Sequence, residues 1–361
     1  MRFAFFGSSL VSAYWNGAAT YYRGLLKALA ERGHQMLFCE PDAFGRQEHR
    51  DIDDPEWARV FVFPAGLAGM ESALNQARDA DVVVKFSGVG VLDAELEQAV
   101  LAKRGPHQTV LFWDVDAPAT LDRMGANADD HLRPLIPRFD AVFTYGGGDA
   151  VVQAYSRFDA RLCVPIYNAL DPATHHPVAP DPQFEADLAF LGNRLPDREA
   201  RVEEFFLGTA ARLPQHRFLI GGNGWRDKPM PPNVMHAGHV YTRDHNAFNC
   251  TPRAVLNVNR ESMARYGASP PTRIFEAAGA AACIVSDAWD GIGRFLEPGR
   301  EVLVANDGAD VASYVQALDE STARQIGEAA RKRVLAGHTY ALRATEVEGV
   351  LEGRNQFRQA V

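Results

Sequence analysis

Arg273 and Glu276 stand three residues apart in the stretch Ser269-Pro270-Pro271-Thr272-Arg273-Ile274-Phe275-Glu276-Ala277-Ala278-Gly279. Two prolines and a threonine open this run, and small helix-forming residues continue it toward a buried strand expected at 282–286. A helix N-terminus presents unpaired N–H groups and the positive end of a dipole, which suits an anion. Thr272 sits at that start, and Arg273 adds a planar, permanently charged fork matched to phosphate oxygens. Glu276 cannot bind the same phosphate; its chemistry is to accept hydrogen bonds from neighbouring hydroxyls. Phosphate beside vicinal hydroxyls describes a nucleotide or a nucleotide sugar. The competing reading is a capped, salt-bridged helix start.

Other reactive side chains cluster where apolar runs end. Phe112-Trp113-Asp114-Val115-Asp116-Ala117-Pro118 places two carboxylates and an indole at a strand terminus. Asp114-x-Asp116 has the form of a divalent-metal pair, but no neighbouring His or Glu completes a coordination set. The pair reads instead as a metal-free site in which Asp114 or Asp116 hydrogen-bonds or deprotonates an acceptor hydroxyl. The structural alternative makes Asp116 the N-cap of a helix beginning near Pro118. Gly7 opens a glycine–serine turn after the first strand, without the G-x-G-x-x-G of a dinucleotide fold, which argues against a nicotinamide or flavin enzyme. Its open backbone is a candidate ligand contact.

Gly192-Asn193 precedes Arg198, a cation in the first turn of a helix, where a bound anion offsets the unfavourable dipole. Gly222, in Gly221-Gly222-Asn223-Gly224-Trp225, and the loop Gly238-His239-Val240-Tyr241 suit a nucleoside base held by backbone bonds and one flat side chain; plain glycine turns are the alternative. Asn257 and Asn259, two apart before Arg260, fit either a wet site or a satisfied internal network.

These positions need a scaffold that gathers strand ends. The chain has 361 residues, enough for two domains. Its 47% apolar and 23% charged content is that of a globular protein, and its net charge of −9 argues against general nucleic-acid binding. Cys39, Cys163, Cys250 and Cys283 are far apart, the pattern of reduced thiols in a cytoplasmic protein rather than of disulfides or a zinc site. No apolar run is long enough for a transmembrane segment, and the strand-like start leaves no room for a signal peptide.

Strands are expected at 2–6, 35–40, 59–63, 81–85, 109–113, 140–144 and 161–165, with helical patterns between most of them. A second series follows at 187–191, 217–220, 233–237, 254–258, 282–286 and 301–304, and two helices at 323–335 and 340–351 close the chain. The proline-rich stretch between the two series carries His175-His176, read as plain surface residues, with a metal site as the alternative. Alternation of this kind makes an α/β protein of two Rossmann-like halves, with ligands outside the carboxyl ends of parallel strands facing across a cleft.

Taken in order, Tyr167-Asn168-Ala169-Leu170-Asp171, Phe190-Leu191-Gly192-Asn193 with Asp197-Arg198, and Leu256-Asn257-Val258-Asn259-Arg260 carry a resemblance. So do the Ser269–Glu276 stretch, Phe295-Leu296-Glu297-Pro298-Gly299-Arg300-Glu301, and Gly337-His338-Thr339-Tyr340 with Arg343. Together they resemble the CgeB-like, spore-maturation type glycosyltransferases. The resemblance implies a GT-B fold with domains at 1–168 (acceptor) and 183–338 (nucleotide sugar), a linker at 169–182, and a helix at 339–361 returning to the first domain. It implies transfer of a sugar from a nucleotide-diphosphate sugar to an unknown acceptor, with the nucleotide sugar as co-substrate and no other cofactor; no metal is expected, since arginines can carry the phosphate charge. Glu276 matches the second, ribose-binding Glu of the Glu-x7-Glu pair found in related retaining enzymes. Ala268 stands at the first, which leaves the anomeric stereochemistry open. Pro270 and Pro271 remove two backbone donors, a loss that Thr272 and Arg273 are placed to replace. A nucleotide-sugar epimerase or hydrolase and a catalytically silent nucleotide-sugar-binding protein are the rival readings.

Overall fold

The computed structural model describes residues 1–14 and 16–359, without the side chains of residue 262 and of 354–359. It forms two compact units, Met1–Tyr167 with Tyr340–Val361, and Asn168–Thr339. Each is a parallel sheet, because each apolar strand is followed by a segment long enough to cross back over the sheet face.

The first unit contains β1 (Arg2–Phe6), β2 (Gln35–Asp42), β3 (Arg59–Pro64), β4 (Val82–Phe86), β5 (Thr109–Asp114), β6 (Ala141–Thr144) and β7 (Cys163–Pro165). Their order is β3-β2-β1-β4-β5-β6-β7, and every neighbouring pair is parallel. Strands β4, β5 and β6 are buried at every residue, so their sequences read as continuous apolar runs rather than alternations. Trp113 is 0% exposed; its indole N–H donates to the Tyr21 hydroxyl (3.0 Å), which donates to the Ile166 carbonyl (2.7 Å). The indole at this strand terminus is a core residue. Its polar atom is satisfied internally, as burial demands.

The second unit contains β8 (Leu188–Leu191), β9 (Phe218–Gly221), β10 (Val234–Gly238), β11 (Ala254–Asn257), β12 (Ile284–Asp287) and β13 (Leu303–Ala305), ordered β10-β9-β8-β11-β12-β13 and parallel throughout. Phe190, Phe206, Phe218, Trp225, Leu256 and Val285 form its core. The chain enters this unit beside the point where it leaves, with Leu170 donating its N–H to the His338 carbonyl at 2.8 Å. The stretch expected as a linker is therefore tied into the second unit. Asn168, just before that stretch, is buried and its amide donates to the Pro270 carbonyl (3.1 Å).

The strand order reverses between β1 and β4 in the first sheet and between β8 and β11 in the second. Open parallel sheets bind ligands at that switch point, outside the strand carboxyl ends. Among the described residues, no helix is long and apolar enough to cross a membrane.

Candidate functional site

The loops leaving β8 and β11 flank the second switch point and carry Asn193, Asn259 and Arg260; Arg198 lies in helix Pro196–Val202, which follows the first of them. Gly222 makes the first of these loops possible. Its φ of +114° is unfavourable for other residues, and a Cβ there would lie 2.3 Å from the Gly192 carbonyl oxygen. The loops leaving β8 and β9 thus press backbone to backbone. Gly192 also accepts the Trp225 indole N–H (2.6 Å), and the Asn193 side chain accepts the Asn223 N–H (2.9 Å). Gly192, Asn193 and Gly222 shape the site more than they offer free groups to it.

Their product is the placement of Arg198. A side chain on Gly192 would meet the Arg198 guanidinium at 2.8 Å, so glycine leaves room for it. One Arg198 Nη donates to the Asn193 carbonyl, and the guanidinium lies 5.6 Å from the Phe190 ring centroid. Its Nε is buried with no hydrogen-bond partner among the described residues. Burial first, then the nearby charge of Arg273, bring the Arg198 pKa down to about 10.

Arg273 occupies the second position of helix Thr272–Gly279, whose first turn receives no side-chain cap. Its guanidinium has no hydrogen bond or ion pair among the described residues. Burial holds its pKa below the usual arginine value, against the opposing pull of Glu276. Two guanidiniums close enough to repel, neither paired with a carboxylate, form an incomplete electrostatic arrangement. A bound dianion would complete it, supplying acceptors to both forks and cancelling the repulsion. Arg260 is nearby but engaged, donating to Asp197 at 2.5 Å.

Asn257 and Asn259 resolve into an internal network with one open donor. The Asn257 amide donates to the Ser286 hydroxyl (3.0 Å) and to Asn259 (3.4 Å), while the Asn259 N–H donates to Asp287 (3.1 Å). Asp287, fully buried, also accepts from Arg201 at 2.7 Å; burial outweighs that pairing and pushes its pKa up. Asn259 Nδ2 is left buried without a partner among the described residues. Arg201 belongs to this network and was not singled out from the sequence, since no local spacing links it to Asp287, 86 positions away.

Glu276 lies one turn beyond Arg273 on the same helix, so both side chains share a face. Its side chain is 12% exposed and accepts no hydrogen bond from any described residue. His175 stands beside it, Nε2 to Oε1 3.9 Å. The sequence reading of His175-His176 as surface residues is corrected here: His176 is exposed, but His175 is 5% exposed. Among the described residues, His175, His245 and Glu276 are the one group of side chains with metal-ligand spacing. Val240 is buried and its carbonyl faces His245 Nε2 at 3.3 Å, whereas Tyr241 is 58% exposed, with Arg243 over its ring.

The first unit revises three expectations. The Gly7 N–H is spent on the Cys39 carbonyl (3.2 Å), and a Cβ there would lie 2.4 Å from the Phe38 ring; packing explains this glycine. Asp114 is 0% exposed and accepts from Ser87 (2.6 Å), the Asp116 N–H (2.9 Å), Thr120 (3.1 Å) and Tyr155 (2.5 Å). A carboxylate with four donors and no solvent contact cannot reach an acceptor hydroxyl, and burial lifts its pKa despite those donors. Asp116 is half-buried at the N-cap position of helix Ala117–Ala126, and its side chain makes no cap bond. Of the two carboxylates it alone is accessible.

Residues 198–349 match the family model described as glycosyl transferase-like. No curated protein matches the sequence. Among solved structures, the chain is similar to sucrose-phosphate synthase from Thermosynechococcus elongatus, with a TM-score of 0.70, 14% identity and full coverage of both chains. Anabaena HepE in complex with UDP and glucose aligns at TM-score 0.68 and 14% identity, over 98% of this chain and 100% of that one. An α-glucosyltransferase in complex with UDP-glucose and DNA containing an abasic site aligns at TM-score 0.72 and 12% identity, over 98% and 99%. The fold of this chain is GT-B: two parallel Rossmann-like sheets, as the sequence led one to expect.

Proposed function

We propose that this protein is a glycosyltransferase of the CgeB-like type that takes a sugar from a nucleotide-diphosphate donor held by its second unit. The observation that carries this reading is the unpaired Arg198–Arg273 couple beside the start of helix Thr272–Gly279. The two guanidiniums and the first-turn N–H groups hold the diphosphate and stabilise the charge that grows on it as the glycosidic bond breaks. Preorganised donors of this kind are worth about 3–4 kcal/mol each in oxyanion-type sites. Glu276, with no protein donor of its own, accepts the ribose hydroxyls. The loop carrying Val240 and Tyr241 supports the base, Val240 through its backbone and Tyr241 as an exposed flat surface. Asn259 Nδ2 is a further open donor for the sugar or phosphate. The leaving-group charge is met by arginine, so transfer requires no metal. The first unit supplies the acceptor side, with Asp116 in place of Asp114 as the carboxylate for the acceptor hydroxyl. A cytoplasmic setting fits the four unpaired cysteines.

UDP is the first probe to use, since HepE and the α-glucosyltransferase are seen with UDP or its glucose conjugate. Losing one charged hydrogen-bonding partner costs about 1.5–3 kcal/mol, so Arg273→Ala and Glu276→Ala should each weaken UDP binding roughly 10- to 150-fold by titration calorimetry. Unchanged affinity in both variants would sink the assignment. Release of UDP from a nucleotide sugar only when an acceptor is present separates transfer from hydrolysis or epimerisation, and binding without release under every condition identifies a silent module.

A further inference from the structure

His175, His245 and Glu276 come from three separate stretches of the second unit, yet their ligand atoms all lie within 4.8 Å of one another. The local structure is built to bring them together. The chain turns on Asp171, which accepts the Ala173 N–H on its side chain (2.9 Å) and the His175 N–H on its carbonyl (3.0 Å). Asn246, adjacent to His245, brackets His175 from both sides. Its amide nitrogen donates to the Thr174 carbonyl (2.9 Å), and its oxygen accepts the His176 N–H (3.3 Å). Gly279, one turn beyond Glu276, closes the third side. A Cβ there would lie 2.9 Å from the His175 carbonyl oxygen and 2.4 Å from the Leu170 side chain, so glycine lets this segment lie against the helix.

The rings are oriented as well as placed. His175 Nδ1 is 2.9 Å from the Thr174 hydroxyl, and His245 Nε2 is 3.3 Å from the Val240 carbonyl. Each ring has one nitrogen within hydrogen-bond distance of a neighbouring oxygen, the kind of contact that fixes the tautomer of metal-bound histidines. No hydrogen bond joins the three side chains: the 3.9 Å between His175 and Glu276 is too long for one. Three lone-pair donors therefore converge, two of them nearly buried, and the carboxylate among them has no protein donor.

We propose that His175, His245 and Glu276 form a site for a divalent transition metal, best matched by Zn²⁺, and that metal and nucleotide compete for Glu276. The competition rests on the donor reading above; the site itself does not. Tetrahedral Zn²⁺ with bonds of 2.0–2.1 Å sets ligand atoms ~3.3 Å apart, so closure needs a contraction of roughly 0.6–1.5 Å, within the reach of side-chain torsions. Two imidazoles and one carboxylate favour Zn²⁺ over Mg²⁺ or Ca²⁺, which prefer an all-oxygen shell. Arg273, whose charge reaches both Glu276 and His245, opposes any cation, so the bonds to imidazole must outweigh that repulsion. Coordination withdraws Glu276 from the ribose hydroxyls.

The test titrates the full-length protein with Zn²⁺ against a chromogenic chelator and records the visible spectrum of the Co²⁺ form. The expected result is one Zn²⁺ per chain, a tetrahedral Co²⁺ spectrum, and at least a tenfold loss of affinity in His175→Ala and in His245→Ala. Circular dichroism checks the fold of each variant, with His175→Gln or His245→Gln replacing the alanine variant at that position if it fails. Saturating Zn²⁺ should raise the apparent UDP dissociation constant at least tenfold in the wild type and leave it unchanged in the histidine variants. Absent Zn²⁺ binding, or binding indifferent to both histidines, overturns the site while leaving the donor reading intact. UDP affinity indifferent to bound Zn²⁺ overturns the competition. Stoichiometric Zn²⁺ with no UDP binding at all supports the site and counts against the donor reading and the competition together.

Discussion

Asp114 and Asp116 are two residues apart and have opposite fates. Asp114 sits at the last position of β5, where the sheet buries both faces, and serves as the common acceptor for Ser87, Thr120, Tyr155 and a backbone N–H. Asp114→Ala strands several donors at once and should cost about 3 kcal/mol, or roughly 6–12 °C in melting temperature for a unit of this size. Asp114→Asn keeps one oxygen for the three donors that share Oδ1 and removes a buried charge, so it should be far milder. Because burial raises the Asp114 pKa above its unfolded value, the folded state binds the extra proton. The wild type should therefore gain on Asp114→Asn as pH falls from neutral toward the unfolded carboxylate value, read from melting curves at several pH values. Asp116→Ala should destabilise by no more than about 1 kcal/mol, as an accessible substitution does, while lowering turnover without changing UDP affinity. Wild-type turnover in Asp116→Ala removes it from the mechanism.

At the level of elements, the strands were legible because each is a short apolar run closed by glycine, proline or a polar pair. Strand boundaries differ from expectation only at the ends, as in β12, expected from 282 and observed from Ile284. The direction of side chains was less legible. Strand β5 has no polar alternation to set its parity, so Trp113 and Asp114 gave no sign that both point into the core. His175 was misread for a different reason: its burial depends on Asn246 and Gly279, some 70 and 104 positions away, and no local pattern encodes that. The glycine loops after β8 and β9 were read as candidate ligand contacts or plain turns, and the structure shows their backbones in close approach. Gly222→Ala tests this. It meets both an unfavourable φ and the Gly192 carbonyl, so it should destabilise the second unit by about 2 kcal/mol or more and abolish measurable UDP binding through displaced Arg198. Retained affinity and stability would mean that the two loops are not coupled.

For the molecule as a whole, the chain returns to its first unit after completing its second. Helix Tyr340–Gln359 packs on helix Ala19–Glu31, while residues 360–361 lie outside those described. Its register is set by one glycine: a Cβ on Gly24 would lie 2.2 Å from the Tyr340 ring, so the ring fills the space glycine leaves. Ala344, Val347 and Leu351 continue the buried face, and Arg343 Nε donates to the Tyr167 carbonyl at 3.2 Å. Glu348 accepts from Arg32 (2.5 Å) and lies 2.7 Å from His34 Nε2; the Arg32 hydrogen bond is the main cause of its lowered pKa. Burying Tyr340, Val347 and Leu351 is worth about 1.5–3 kcal/mol each, a large fraction of the 5–15 kcal/mol that holds a typical domain together. Gly24→Val puts a branched side chain where the Tyr340 ring must sit and should dislodge the helix. Hydrogen exchange should then show lost protection across residues 340–353 and weaker protection in β1 and β2. Protection in β8–β13 and UDP affinity should stay at wild-type values, because donor binding is assigned to residues of the second unit alone. Loss of UDP affinity in Gly24→Val, with β8–β13 still protected, would show that the donor site depends on the first unit and would overturn that assignment.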